Sequence, residues 1–208
     1  MREVFLISLS LRARRHLLAA RTPAGHWVGE LSSSALSTAT ALFALDRLGR
    51  PEHAPLVDGG LRWLVDHQNP DGSWGDTTKS VGNISTTALC WAALSVGDRG
   101  SGIGGRDPEP QSKAEAWLTA AAGSLEPARL ATAIADRYGK DRTFSVPILT
   151  MLAIAGRLGG SGIGGRGSRS RIPDPRSPDP WRLVPQLPFE MAALPFSWFQ
   201  VLRLPVVS

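Results

Sequence analysis

The sequence predicts an all-α fold of αα-hairpin repeats, and the main reason is an internal repeat. Residues 15–42 align without a gap with residues 62–89, which lie 47 positions further along the chain. Such a period is typical of proteins in which one helix pair stacks on the next. The identical aligned residues are Arg15 and Arg62, Leu17 and Leu64, Pro23 and Pro70, Gly25 and Gly72, Trp27 and Trp74, Ser33 and Ser80, and Thr40-Ala41-Leu42 and Thr87-Ala88-Leu89.

Each repeat is predicted to run as helix, Gly-Trp turn, helix. In the first repeat, Gly49 and Pro51 end the second helix, because glycine caps helices and proline cannot continue them. In the second repeat, the string Asn69-Pro70-Asp71-Gly72 predicts a turn between two helices. The four predicted helices cover residues 10–20, 33–48, 55–67 and 85–96.

A third helical region is predicted over residues 112–158, where the similarity to the first two repeats is weaker. Ser112 and Glu115 have the spacing of a capping box, which satisfies two backbone N–H groups at a helix start. Thr143 is predicted to cap a later helix. The predicted helices cover residues 112–122, 126–138 and 143–158.

Two segments rich in glycine and proline interrupt the helical pattern, at residues 98–111 and 159–180. They share the string Gly-Ser-Gly-Ile-Gly-Gly-Arg, at residues 100–106 and 160–166. A phosphate-binding loop would follow a strand and end in Gly-Lys-Ser or Gly-Lys-Thr, and neither copy does so. We therefore predict low-complexity linkers that have no role in catalysis.

These boundaries divide the chain into five parts. Two helix-pair repeats occupy residues 1–97, a linker 98–111, the third helical region 112–158, a second linker 159–180, and an apolar segment 181–208. Because an exposed apolar ending favours contact with further protein, we expect the last segment to be the truncated start of another part of the fold. Four of its aromatic residues are candidates for contact with a hydrocarbon substrate, a membrane or a missing domain, and these are Phe189, Phe196, Trp198 and Phe199.

Composition narrows the functional classes. The net charge is +5 and the pI is about 10.3, but basic and aromatic residues do not interleave, so we do not expect nucleic-acid binding. Cys90 is the only cysteine, which excludes an intramolecular disulfide and a zinc site built from several cysteines. No signal peptide or membrane-spanning run of about 20 apolar residues is found. We expect a cytoplasmic protein, with peripheral attachment to the cytoplasmic membrane as an open alternative.

The Gly-Trp turns resemble a known repeat. Residues 68–74 read Gln-Asn-Pro-Asp-Gly-Ser-Trp, which is similar to the glutamine–tryptophan (QW) repeat of squalene–hopene and oxidosqualene cyclases. Residues 21–27 have the same spacing, with Arg21 in place of glutamine. Residues 25–45, 138–150 and 187–208 also resemble bacterial squalene–hopene cyclases. The chain therefore resembles the N-terminal region of a squalene–hopene cyclase-like protein.

This resemblance implies part of an (α/α) barrel, or toroid, that is incomplete in this chain. It also implies an isomerase of triterpenoid and hopanoid biosynthesis, which takes squalene or a similar polyprenyl lipid from the bilayer through monotopic contact and cyclises it. The family uses no metal and no organic cofactor. A carboxylic acid protonates a terminal alkene, and aromatic faces stabilise the resulting cation.

The acid itself has no counterpart here. In the resembled family it lies in an Asp-x-Asp-Asp motif, and no aspartate of this chain begins even Asp-x-Asp. We therefore assign no catalytic residue and no metal ligand, and expect the chain to be inactive without a C-terminal cyclase part.

The repeat residues Gly25, Trp27, Gln68, Gly72 and Trp74 are predicted to be structural. A glutamine amide can donate and accept hydrogen bonds near a helix end, and a tryptophan buries a large apolar face. Glycine permits close approach between helices. Together these residues would clamp one helix pair to the next.

Two alternatives remain open at this point. The chain can be a non-catalytic helical scaffold that binds an isoprenoid, a membrane or another protein. A weaker alternative is a prenyltransferase β-like subunit, which shares the helical repeat and needs zinc held by aspartate, cysteine and histidine. Cys90, which is predicted to lie on the core face of a helix, would be its only candidate thiol ligand.

Overall fold

The all-α class is confirmed by a computed structural model that describes residues 2–29, 31–96, 108–139, 141–159 and 179–185, with side chains from residue 10 onward. Within these ranges lie seven α-helices and two short 3-10 helices, Pro51–His53 and Pro180–Leu183. None of the described helices combines the length and apolar character needed to cross a membrane. The α-helices are α1 (Arg2–Ala19), α2 (Ala35–Leu48), α3 (Ala54–Asp66), α4 (Ile84–Leu94), α5 (Glu109–Ala122), α6 (Pro127–Tyr138) and α7 (Ser145–Ile154).

The chain separates into two compact units, Met1–Ser33 and Ser34–Ser208, each of which is described by itself. The first, called here the N-terminal unit, contains α1 and the first Gly-Trp turn. The second, called the main unit, contains α2 to α7 and the second Gly-Trp turn.

Helix α4 is the centre of the main unit. It contacts α2, α3, α5, α6 and α7, and every residue from Ser85 to Leu94 is buried. A helix that is apolar on all sides is expected in such a position. Its first turn is the exception, because Ser85, Thr86 and Thr87 bring buried hydroxyl groups that need hydrogen-bond partners.

Side-chain caps fix the start of the second helix in each repeat. Ser34 accepts a hydrogen bond from the Ser37 N–H at 3.3 Å, at the start of α2. Asn83 accepts one from the Thr86 N–H at 3.0 Å, at the start of α4. The caps are 49 positions apart rather than 47, so α4 begins two residues later than the sequence alignment implies.

Several predicted helix bounds were wrong. Helix α1 begins at Arg2 rather than residue 10, because the apolar run before Ser10 is also helical. Helix α5 begins at Glu109, with Pro108 at its N-cap and no side-chain cap, so the capping box predicted at Ser112 does not form. Proline is tolerated in a first helical turn, which is why this proline-rich stretch still folds as helix.

The last helix differs from prediction as well. Helix α7 begins at Ser145 after Phe144, so Thr143 is not its cap, and it ends at Ile154 rather than residue 158. The 3-10 helix Pro180–Leu183 contacts both α6 and α7. Leu183 and Val184 pack half-buried against the core.

Candidate functional site: the glycine-tryptophan turns

The first Gly-Trp turn closes the end of α1. Gly25 has φ +86°, a left-handed conformation that glycine adopts without strain. Arg21 Nε donates to the Gly25 carbonyl at 2.7 Å. Trp27 Nε1 donates to the carbonyl of Leu17 at 2.6 Å. Leu17 lies in the last turn of α1, where backbone carbonyls have no N–H donor four residues further along the helix. The Trp27 indole supplies such a donor and therefore caps the C-terminus of α1.

The second turn repeats this geometry at the aligned residues. Gly72 has φ +89°. Gln68 Nε2 donates to the Gly72 carbonyl at 2.8 Å, and Trp74 Nε1 donates to the Leu64 carbonyl at 2.9 Å. The match between the repeats therefore extends from residue types to hydrogen bonds. Arg21 replaces glutamine as donor, and its guanidinium also lies 5.6 Å from the centre of the Trp27 ring.

The two tryptophans differ in burial. Trp27 is 48% exposed and Trp74 is 1% exposed. The backbone of Trp74 is held by a buried hydroxyl of α4: Thr87 Oγ1 accepts from the Trp74 N–H at 3.1 Å and donates to its carbonyl at 3.3 Å. One threonine thus satisfies both backbone groups of a residue that water cannot reach.

The second turn also holds the start of α5. Gln68 Nε2 donates to the carbonyl of Pro110 at 2.9 Å. A Cβ atom at Gly72 would lie only 2.6 Å from the Lys113 carbonyl oxygen, so only glycine permits this approach. Trp117 Nε1 donates to Asp71 Oδ2 at 3.2 Å. Three contacts therefore join the turn after α3 to α5.

The aspartates of the second turn act as hydrogen-bond acceptors. Asp71 Oδ1 accepts from the Ser73 hydroxyl at 2.6 Å and from the Ser73 N–H at 3.0 Å. The Ser73 hydroxyl, and then the Ser73 N–H and the Trp117 indole, lower the pKa of Asp71, while partial desolvation opposes them. Asp76 Oδ1 accepts from Asn83 at 2.8 Å and Thr86 at 2.7 Å. Both carboxylates stabilise the loop that leads into α4.

A second polar network was not predicted from the sequence. Glu115 on α5 accepts from Trp91 Nε1 at 2.9 Å, and its carboxylate lies 3.9 Å from the guanidinium of Arg157. Arg157 also stacks over the Trp91 ring at 4.2 Å. These residues come from α4, α5 and the turn after α7. No local motif links them, so only the helix packing could show that they meet.

Cys90 is poorly suited to hold zinc. Its thiol is fully buried in α4 and donates to the Ala35 carbonyl at 3.7 Å. Burial raises the pKa of the Cys90 thiol well above its usual value, and a zinc ligand must be a thiolate. Among the residues whose positions are described, no group of three or more His, Cys, Asp or Glu side chains could hold a metal ion.

The four aromatic candidates of the last segment, Phe189, Phe196, Trp198 and Phe199, lie outside the described residues. The five repeat residues lie in the two turns, as described above. The sequence did not indicate Asp71 and Trp117 as partners, because they lie 46 positions apart, with α4 between them in the chain.

Comparison with known proteins identifies a family model that covers most of the chain. Residues 11–153 match the family described as the squalene-hopene cyclase N-terminal domain. The match includes both Gly-Trp turns and runs into α7. No solved structure matches this chain.

Curated relatives match over shorter stretches. Squalene hopane cyclase afumA of Aspergillus fumigatus is 34% identical over 111 residues, which is 52% of this chain and 14% of that protein. Enfumafungin synthase efuA of Hormonema carpetanum is 34% identical over 82 residues, 38% of this chain and 6% of that protein. Ent-copalyl diphosphate synthase AN1 of Zea mays is 37% identical over 68 residues, 32% of this chain and 8% of that protein. The matched region therefore spans a small fraction of each relative.

Proposed function

Because the chain belongs to the squalene–hopene cyclase N-terminal domain family, we propose that it forms the N-terminal helical part of a class II terpene cyclase. In this proposal the chain contributes to the cyclisation of squalene or a similar polyprenyl lipid only when it is joined by a C-terminal cyclase region. The family match over residues 11–153 is the observation that carries the proposal. The proposed role of the Gly-Trp turns is to hold the helix pairs together.

Two described carboxyl groups, Asp71 and Asp141, are poor candidates for an acid that protonates an alkene. Protonation of an alkene requires a carboxylic acid that keeps its proton, and apolar surroundings favour that form by raising the pKa. Hydrogen bonds from Thr143 lower the pKa of Asp141, and hydrogen bonds from Ser73 lower that of Asp71. Both groups are therefore held in the ionised form. The sequence also contains no Asp-x-Asp-Asp motif to supply another acid.

The substrate class is tested with two lipids. One relative is named a squalene hopane cyclase and another an ent-copalyl diphosphate synthase, so the purified chain is incubated in parallel with squalene and with a polyprenyl diphosphate. Full-length afumA is the positive control for squalene. We expect no cyclised product from the 208-residue chain in either arm by gas chromatography and mass spectrometry. A cyclised product would disprove the need for a second part.

The positive half of the proposal is tested with a chimera. The region of afumA that matches this chain is replaced by the corresponding residues of this chain, and squalene cyclisation is measured. We expect product from the chimera and much less from the chimera that also carries Thr87→Val, which leaves the buried Trp74 N–H without its acceptor. The matched control is Thr40→Val. A folded but inactive chimera would contradict the proposed role.

A further inference from the structure

We propose that the peptide bond between Leu31 and Ser32 is a processing site for an endoprotease whose specificity pocket binds apolar side chains. Ser32 lies two positions before Ser34, which is the first residue of the main unit. Cleavage at this bond therefore separates α1 and the first Gly-Trp turn from the rest of the chain. The proposal concerns a modification of the chain itself and does not rest on the proposed cyclase function.

The segment around this bond is exposed and has no regular structure. Leu31, Ser32 and Ser33 are all exposed and belong to no helix or turn. Leu31 is 98% exposed, which is the largest value among the big apolar side chains that the structure describes. A Cβ atom at Gly29 would meet no other atom within 4 Å, so the space before the bond is open as well.

The backbone of this segment is available for binding. Among residues 28, 29 and 31–33, no backbone or side-chain group donates or accepts a hydrogen bond. A peptide that binds as an extended strand uses its backbone N–H and C=O groups, and a protease substrate binds in this way. The Leu31–Ser32 bond can therefore enter an active site without prior local unfolding.

The structure on both sides of the bond is fixed by contacts that do not involve it. On the N-terminal side, Trp27 donates to the Leu17 carbonyl and closes the first Gly-Trp turn. On the C-terminal side, Ser34 caps α2, and the buried core of the described residues begins at Ala35. Cleavage thus removes no hydrogen bond and no core residue, which is typical of sites that proteases nick.

The residue types indicate the class of protease. A leucine side chain fits the hydrophobic slot of a chymotrypsin-type serine protease. Residues 28–34 contain no lysine or arginine for a trypsin-type pocket. Ser32 and Ser33, which follow the bond, are small. Hydrolysis breaks the amide C–N bond: water supplies the second oxygen of the new Leu31 carboxylate, and its two protons go to the new Ser32 ammonium group.

Other exposed apolar side chains are protected by the backbone around them. Phe144 is 58% exposed, but its ring stacks on Tyr138 with centroids 5.7 Å apart. Its carbonyl accepts a hydrogen bond from the Ile148 N–H at 3.4 Å. Leu48 and Leu56 lie within α2 and α3. Cleavage after any of these residues requires a helix to open first, which costs free energy.

The test is digestion of the full chain with chymotrypsin, in which mass spectrometry follows each new terminus over time. Chymotrypsin cleaves after phenylalanine more readily than after leucine, so its intrinsic preference favours the bond after Phe144. In the folded chain we expect the bond after Leu31 to be cleaved at least about 10-fold faster, because the other bond waits for α7 to open. With synthetic peptides of residues 25–37 and 138–150, this order should reverse.

Matched variants separate the site from general exposure of leucines. Leu31→Ser removes the side chain that enters the pocket and should abolish this cut. Ser32→Pro keeps the exposed leucine but removes the N–H of the bond, and should abolish it as well. Leu48→Ser replaces a leucine that is 60% exposed in α2 and should leave the rate of this cut unchanged. Circular dichroism confirms that each variant is folded.

Three results would overturn the proposal. The first is cleavage of the folded chain after Phe144 before cleavage after Leu31. The second is an unchanged rate of cleavage between positions 31 and 32 in Leu31→Ser. The third is rapid cleavage after Phe144 as soon as the bond after Leu31 is broken, which would show that the cut unfolds the main unit. None of these measurements involves cyclised product, so failure here is distinct from failure of the cyclase proposal.

Discussion

Trp117 on α5 donates its indole N–H to the Asp71 carboxylate at 3.2 Å, across 46 positions of sequence. The same carboxylate accepts two hydrogen bonds from Ser73 within its own turn. One side chain therefore stabilises both the turn after α3 and the contact of that turn with α5.

Asp71→Ala is expected to lower the free energy of unfolding by roughly 1–2 kcal/mol at pH 7, because it removes three hydrogen bonds to a charged acceptor at a partly exposed site. Urea denaturation measures the change. Asp66→Ala is the control, since it removes the same charge from an exposed position at the end of α3 and should have little effect. Equal losses in both variants would contradict the role of Asp71.

The effect of Asp71 should depend on pH. Its pKa is lower in the folded protein than in the unfolded chain, so the stabilisation is present above the unfolded pKa of about 3.9. It is lost as the pH falls through the lower folded value. The difference in stability between wild type and Asp71→Ala should therefore shrink below about pH 4. A difference that stays constant or grows towards acid pH would contradict this sign.

Thr87→Val is expected to destabilise the main unit by about 1–3 kcal/mol, because the buried Trp74 N–H loses its acceptor while the side-chain shape is kept. The aligned residue of the first repeat supplies the control. Thr40 is exposed and its hydroxyl donates to the Leu36 carbonyl at 3.0 Å. Thr40→Val should therefore change stability by less than about 0.5 kcal/mol. Thermal and urea unfolding compare the two variants.

Gly72→Ala should be more destabilising than Gly123→Ala. Both glycines have left-handed backbone, φ +89° and φ +83°, so each substitution costs about 1–2 kcal/mol of backbone strain. At Gly72 the new methyl also meets the Lys113 carbonyl oxygen at 2.6 Å, whereas at Gly123 it meets only the end of the Arg129 side chain at 3.5 Å. Overpacking should add about 1–3 kcal/mol at Gly72. Equal denaturation midpoints would disprove the close approach.

Cys90 should be protected from thiol reagents in the folded protein. Its side chain is fully buried and its pKa is raised by desolvation, so both access and the thiolate fraction are low. We expect labelling by a disulfide reagent to be at least about 100-fold slower in buffer than in denaturant. The variant Cys90→Ser/Val81→Cys moves the thiol to a position that is 88% exposed in wild type. Its thiol should react rapidly both in buffer and in denaturant. Fast labelling of native Cys90 would show that α4 opens readily.

The sequence was sufficient to predict the Gly-Trp turns because their signals are local. Gly25 and Gly72 adopt the left-handed conformation that tight turns require, and Trp27 and Trp74 reach back ten positions to the preceding helix. Pro108 and Pro110 misled the prediction, since they were interpreted as linker residues although proline is tolerated in a first helical turn.

The contacts between distant segments could not be predicted in the same way. Gly72 approaches Lys113, and Trp91, Glu115 and Arg157 meet, because turns after α3 and α7 pack against α4 and α5. Hydrophobic periodicity shows which face of a helix is buried, but it does not show which neighbour covers that face.

The burial of α4 bears on the order in which the protein folds during synthesis. This helix is covered by α2 and α3, which leave the ribosome before it, and by α5, α6 and α7, which leave after it. Its apolar surface therefore stays partly uncovered until residues up to about 154 have emerged. We expect nascent chains that end after α4 to be bound by chaperones, and chains that include α7 to be released.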